Sequence, residues 1–342
     1  MKNDETTLIA GVMKGLSIPK SSAGALPTRP GQLSVVTGVL MVAVDNGSGG
    51  LTWEQAVDPR DPDYEFTTHT FIPAGAIGRI GPTIAQLSAA YGSAPFMGSD
   101  ELFRVENGLQ IWKVPANGIY EFVLKGASRA ASASLPAQLT VRLAMLLGDM
   151  VTMAVGQQAA GDWGGNGGSF VRSVNRGLIA VAGGAGGMAG SASRSPVLTV
   201  YDESNAPAGN SGANVRSSTV DGKFSTGHGG AGATGDGVQD AANPGTPAAA
   251  FANGAVGGIV TGQPHTGGFG GGGAGMSGYQ TRGVGGGGGY TGGNGAGSNG
   301  SSGGDSGGFG GTNFCTNIDI VSKIAPSNGT RTDGFVRITK VG

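Results

Sequence analysis

Cysteine is almost missing from this chain of 342 residues: Cys315 stands alone, so no internal disulfide is possible and the fold does not rest on oxidative staples. Long apolar runs are missing as well, and none is long enough to cross a bilayer as a helix. Charge is scarce, at 13% of residues, and balanced, with 21 basic against 22 acidic side chains. No stripe of Lys or Arg forms the footprint that phosphate neutralisation requires, which argues against nucleic acid as a partner. The opening Met1-Lys2-Asn3-Asp4-Glu5 lacks the apolar stretch of a secretory signal, so synthesis and assembly in a reducing cytoplasm are expected.

Glycine, by contrast, occurs 71 times, far above ordinary usage. The apolar fraction of 38% still suffices for a buried core, so a wholly disordered chain is not expected. Large parts of this chain evidently need backbone without side chains.

The N-terminal part of the chain reads as β. Pro19, Pro27 and Pro30 impose an extended arm, Leu33 to Val44 is β-branched and apolar, and Asp45-Asn46-Gly47-Ser48-Gly49-Gly50 turns the chain before Leu51-Thr52-Trp53. Two or three short strands are expected, either as an ordinary hairpin or as a docking module; Ile18 to Trp53 resembles short modules near the N-termini of phage fibre and baseplate-associated proteins. The residues up to 57 are therefore read as an attachment arm, and 58–65, with Asp58-Pro59-Arg60-Asp61-Pro62-Asp63, as a linker. Beyond it, Ile84, Leu87 and Tyr91 at helical spacing, a Thr83/Gln86 capping box and a closing Gly92 predict one short helix. Alternation over Leu139 to Met145 and over Val151 to Val155 predicts strands with one face on a core. Ile119 to Lys125 and Leu178 to Ala182 are more continuously apolar, as for strands covered on both faces. Phe335 to Thr339 reads as a closing strand.

From Gly254 to Gly311 glycine dominates, punctuated by Phe269, Tyr279, Tyr290 and Phe309 without a collagen repeat. A disordered tract is one reading, because each ordered glycine costs about 0.5–1 kcal/mol more than alanine. The other is a set of left-handed extended glycine helices bonded side by side, and the apolar strand that follows the tract favours this ordered form.

An ordered series of motifs then resembles the glycine-rich domain of the anaplastic lymphoma kinase and leukocyte tyrosine kinase ectodomains and related domains of bacteriophage tail fibres. It comprises Gly78-Arg79-Ile80-Gly81-Pro82-Thr83, Gly108-Leu109-Gln110-Ile111-Trp112-Lys113-Val114-Pro115, Gly118-Ile119-Tyr120, Gly126-Ala127 and Val155-Gly156-Gln157. It continues through Gly167-Gly168-Ser169-Phe170-Val171, Ala180-Val181-Ala182-Gly183-Gly184, Gly267 to Gly271, Gly285 to Tyr290 and Asp333-Gly334-Phe335-Val336-Arg337-Ile338. The resemblance implies a mainly β domain over 66–342: a tumour-necrosis-factor-like β-sandwich at 66–182 and 333–342, with polyglycine II-type helices over 254–311. Ala127-Ser128-Arg129-Ala130-Ala131 departs from the paired glycines that the family carries at that turn. The kinase and membrane parts are not matched, so receptor signalling is not implied.

Catalysis is not expected. Gly304-Asp305-Ser306-Gly307-Gly308 imitates a serine-nucleophile segment, but a chance match is expected in such a tract and His69, His228 and His265 stand in no triad setting. Gly-x-Gly-x-x-Gly matches come without a βαβ unit, so no nucleotide or other cofactor is expected. Asp236, Asp240 and Asp202-Glu203 fit no calcium loop, and no metal spacing occurs. The sequons at Asn46, Asn299 and Asn328 read as turns. Tyr279 and Tyr290 are the candidate contact residues, either exposed or wedged between glycine helices, and Arg194 to Pro247 is the candidate for variable loops. The expectation is a non-enzymatic virion protein of tail-fibre or adhesin type, assembled in a host cytoplasm. Residues 1–57 would bind other virion proteins, the glycine-rich domain would bind a host surface receptor or another fibre subunit, and the chain would form a homo-oligomer, a trimer by preference. No small-molecule substrate is expected. The alternative is a capsid or tail decoration protein without a recognition role.

Overall fold

The computed structural model describes residues 63–129, 134–188, 195, 200–205, 227–239, 244–276, 282–298, 308–317, 320–330 and 332–341, together with the backbone of four N-terminal strands. The chain divides into two compact units, Met1–Asp63 and Tyr64–Gly342, a division that falls inside the Asp/Pro stretch 58–65. The first unit is one sheet of β1 (Lys20–Ser21), β2 (Leu33–Val36), β3 (Val39–Asp45) and β4 (Leu51–Gln55) in that order, parallel between the first two strands and antiparallel thereafter.

The second unit is mainly β. One antiparallel sheet joins β5 (Thr68–Phe71), β8 (Gly118–Lys125), β9 (Ala137–Met145), β19 (Ile320–Asn328) and β20 (Phe335–Lys340) in the order β19-β9-β8-β20-β5. A second sheet uses β6 (Phe103–Glu106), β7 (Leu109–Lys113), β10 (Met150–Ala154), β11 (Ser169–Ser173), β12 (Gly177–Ala182), β13 (Val200–Tyr201) and β18 (Asn313–Cys315), ordered β13-β18-β12-β11-β10-β7-β6. Phe71, Tyr120, Phe122, Leu124, Val141, Leu143 and Ile338 from the first meet Trp112, Val151, Met153, Val171 and Ile179 from the second in one core, as sheets do in a β-sandwich. The period-two burial of β9 follows from that arrangement: Leu139, Val141, Leu143 and Met145 point in, while Thr140, Arg142 and Ala144 point out.

Helix α1 (Ile84–Tyr91) closes one end of this core with Leu87 and Tyr91, and the Thr83/Gln86 capping box is formed at both of its hydrogen bonds. Ile84, the third apolar residue of the helical spacing, is exposed instead. The Tyr91 hydroxyl donates to Gln110 and accepts from the Ile72 amide, so the helix is tied to two strand ends. The β6–β7 hairpin turns through a pair of left-handed residues, Asn107 (φ 51) with Gly108 (φ 83), and the turn after β5 uses another such pair, Ala74 (φ 52) with Gly75 (φ 80).

The glycine-rich remainder lies on the other face of the seven-stranded sheet. Phe170 stacks on Phe251 at 5.0 Å between centroids, Tyr290 stacks on Phe314 at 4.8 Å, and Ala154, Val181, Ala233, Ala255 and Phe269 complete this second cluster. That sheet is thus covered on both faces, the reason Leu178 to Ala182 reads as a nearly unbroken apolar run. The short pairs β14 (Gly245–Thr246) with β15 (Ile259–Val260), and β16 (Arg282–Val284) with β17 (Ala296–Ser298), are the only strand pairs among the described glycine-rich segments.

Elsewhere the segments run extended and bond to one another through backbone at every third residue. Gly165 and Gly168 donate to Gly273 and Gly270, Gly285 and Gly288 to Trp163 and Asn166, Gly187 and Gly184 to Gly285 and Gly288, and Gly308 and Gly311 to Gly187 and Gly184. These bonds satisfy buried peptide groups between segments, where a helix or sheet would do so by its own ladder. The segments approach so closely that a methyl group on Gly165 would strike the Gly286 carbonyl oxygen, and one on Gly288 would strike that of Gly270.

Two boundaries differ from those the sequence suggests. The lattice draws on 156–168, 183–187 and 227–233 as well as on 254–311, because the same close approach is available wherever short glycine runs interrupt the strands. The sheets in turn draw on 313–328. Strand β19 escapes sequence reading because it carries Lys323 and Pro326 and two register shifts, features of an edge strand that resists pairing with another chain.

Candidate functional site

The quoted motifs explain themselves once folded, since their glycines meet one another. Gly81 lies with its Cα against Gly108, where a Cβ would sit 2.6 Å from the Gly108 Cα, and a Cβ on Gly126, Gly156 or Gly184 would collide with the carbonyl of Gly183, Gly167 and Gly167 respectively. At Ala127-Ser128, where the motif resemblance leads to an expectation of paired glycines, both residues are buried and bonded, the Ala127 amide to Gly167 and the Ser128 hydroxyl to Ser134.

Tyr290, a candidate contact residue, is only 9% exposed and wedged between Phe314 and Tyr201; burial, then the nearby Glu203 carboxylate, raises its pKa. Tyr279 and Ser306 lie outside the described residues. The histidines are dispersed. His69 is boxed by the edges of Phe71, Tyr91 and Phe96 and its pKa falls to about 4 through burial. His228 is fully buried in the glycine lattice, and His265 stands beside Trp163. The carboxylates act as local caps: Asp236 accepts from the Ala250 amide and Asn253, while Glu203 accepts from the Asn317 amide and Thr316. Asp240 lies outside the described residues. Among the described residues no group of three or more His, Cys, Asp or Glu side chains could hold a metal ion.

Lys125, on β8, is the most deeply buried charge among the described residues, at 2% exposure. Its ammonium donates to Thr330 and Thr332 and lies 5.2 Å over the Phe335 ring; burial lowers its pKa and Asp333 opposes that fall. Asp333 also accepts from the Gln158 amide, so this cluster fastens the start of β20.

The feature that sequence reading missed is one end of the glycine lattice. Trp163 O accepts from Gly285, Gly187 donates to Gly285, Gly308 to Gly187, Met188 to Asp162, Gly227 to Ala296, and Met276 and Gly283 to each other. Met188, Gly227, Met276, Arg282, Ser298 and Gly308 are the described residues that flank segments 189–194, 206–226, 277–281 and 299–307, so these segments all start or finish at the same end. Arg129, which precedes 130–133, reaches it too, paired with Asp162 at 3.0 Å. Trp163 and His265 sit there half-buried, their rings 5.8 Å apart. Burial lowers the His265 pKa; Asp162 opposes this and Arg129 reinforces it, so the imidazole is neutral near pH 7. A lone tryptophan inside Asp162-Trp163-Gly164-Gly165 was the available signal, but its partners come from distant positions.

No protein-family model matches the chain, and no curated protein matches its sequence.

Proposed function

We propose that this chain is a virion protein of tail-fibre or adhesin type, in which the glycine-rich segments form a rigid mount and the end around Trp163 faces the partner. The observation that carries this reading is the convergence of several inter-segment connections on one end of a lattice locked by backbone bonds. Binding and variable residues are drawn to loops held by a rigid scaffold, because a loop changes without disturbing the packing beneath it. The lattice is read as a bundle of polyglycine II helices, supported by hydrogen bonds at every third residue, the period of that helix. The sandwich is read as the tumour-necrosis-factor type that the motif resemblance implies. Residues 1–57 dock on other virion proteins, the assembly is a homotrimer formed in a host cytoplasm, and the protein is not an enzyme.

Fluorescently labelled protein applied to a panel of bacterial strains tests the reading. Saturable, strain-selective binding, competed by lipopolysaccharide or outer-membrane extract, is the expected result. Absence of binding to every strain would overturn it in favour of a structural decoration role.

A further inference from the structure

Trp163 is held in an unusual position for so large an apolar side chain. Trp112, the other tryptophan whose side chain is described, is fully buried, whereas Trp163 stays partly in solvent at the end of the lattice. It is not there through slackness of the backbone. Its carbonyl accepts from Gly285 at 2.7 Å, that of the preceding Asp162 accepts from Met188 at 2.7 Å, and Gly275 donates to the His265 carbonyl at 2.8 Å. His265 in turn has its Nδ1 packed against Gly161, where a Cβ would displace it. The Arg129 guanidinium is steadied by donating from Nη1 to the Ala159 carbonyl at 2.9 Å and by its ion pair with Asp162, the residue before Trp163. The two side chains remain 30% and 45% exposed.

A half-buried indole near a planar donor and a planar acceptor suits a ligand with an apolar face and a rim of hydroxyls. A pyranose ring has that form: its axial C–H bonds lie on an indole, and neighbouring hydroxyls donate in pairs to a carboxylate or accept in pairs from a guanidinium. Charge selects further within that class. Among the described residues Arg129 and Asp162 offset one another and burial lowers the His265 pKa, so these side chains offer no surplus charge with which to favour an anionic sugar or a phosphate. Preorganisation adds to this, because little side-chain freedom is left to lose on binding.

We propose that Trp163, Asp162 and Arg129 form a subsite for a neutral hexose unit of a surface polysaccharide, with Trp163 as the stacking platform and the ion pair as the hydroxyl clamp. This rests on the adhesin reading for its biological setting, but the chemistry of the subsite stands apart from it.

Binding of gluco-, manno- and galacto-tetrasaccharides to the full chain is measured by titration calorimetry, and the same proteins are applied to the strain panel. A saturable heat of binding with at least one sugar is expected. Trp163→Ala should abolish it, Asp162→Asn should weaken it at least about tenfold through the lost charge-assisted bonds, and Trp163→Phe, which keeps a stacking ring, should retain binding. Thermal melts of each variant establish that it is folded; should Trp163→Ala not fold, Asp162→Asn and Arg129→Gln carry the test. No saturable heat with any of the three sugars, or binding untouched in folded Trp163→Ala, would overturn the subsite. Strain binding by the wild type that survives in Trp163→Ala sinks the subsite and leaves the adhesin, whereas sugar binding without strain binding does the reverse.

Discussion

The sandwich core and the glycine lattice solve the same problem, the exclusion of water from buried backbone, with opposite materials. In the sandwich, Phe122, Leu124, Val141 and their neighbours fill the space between sheets, and their rotamers can adjust when one is altered. In the lattice the backbone is itself the filling. No side chain stands between Gly165 and Gly286 or between Gly288 and Gly270, so nothing there can rotate out of the way. Side-chain packing is graded, whereas backbone packing of this kind is all or none.

The sharpest break of that comparison is a single methyl group. Gly165→Ala is expected to cost more than about 4 kcal/mol, beyond the usual range for a point change, or to prevent folding altogether. Phe122→Ala, which removes a whole fully buried ring from the sandwich, is expected to cost about 3–5 kcal/mol and still yield a folded domain. Urea unfolding of both variants reads the two numbers, and a lattice substitution milder than the ring deletion would show that the lattice yields after all.

Acid sharpens the comparison on the sandwich side. His69 has a pKa near 4 inside its aromatic box, against 6.5 in an unfolded chain. Between those values the unfolded state binds the additional proton, so the stability that His69 contributes is present above pH 6.5 and is lost as pH falls towards 4. His69→Phe should flatten that limb of a stability-against-pH curve, and an unchanged limb would place the acid sensitivity elsewhere. The smallest effect expected is a gain. Ala74 holds a left-handed φ of 52 in the turn after β5, a conformation that costs an alanine about 1–2 kcal/mol. Ala74→Gly should therefore raise stability by about 0.5–1 kcal/mol once the greater freedom of unfolded glycine is subtracted, visible as a higher unfolding midpoint.

Legibility in the sequence followed locality. The capped helix was readable because Thr83, Gln86, Leu87, Tyr91 and Gly92 all act within ten residues of one another, and β9 because its alternation is its own. Strands β5 and β18 were not, since THTF and NFC are too short to show a period and owe their state to distant partners, Val336 to Thr339 and Ala180 to Val181. The spacing of Ile84, Leu87 and Tyr91 announced the helix, and of these only Leu87 and Tyr91 are buried against the sandwich. The mainly β character was visible; the pairing of Gly81 with Gly108 or of Gly126 with Gly183 was not, because a glycine carries no side chain to announce its neighbour. The end around Trp163 was hidden for the same reason. Arg129, Asp162 and His265 come from three separate stretches of chain that only the lattice brings to one place.

The connections at that end have a consequence for how such a protein can change. Lengthening a connection costs only slowly, about 0.6 kcal/mol for each doubling of its length, and it shifts no residue of the lattice relative to another. Every third residue of a glycine segment is fixed by its neighbours, so deletion of one residue inside a segment breaks the register of the entire bundle. Natural variants of this chain should therefore differ freely in length between residues 205 and 227, 276 and 282, and 298 and 308, and hardly at all between 156 and 168. Indel positions in related genes would then map the boundary between chassis and cargo without any structure being determined.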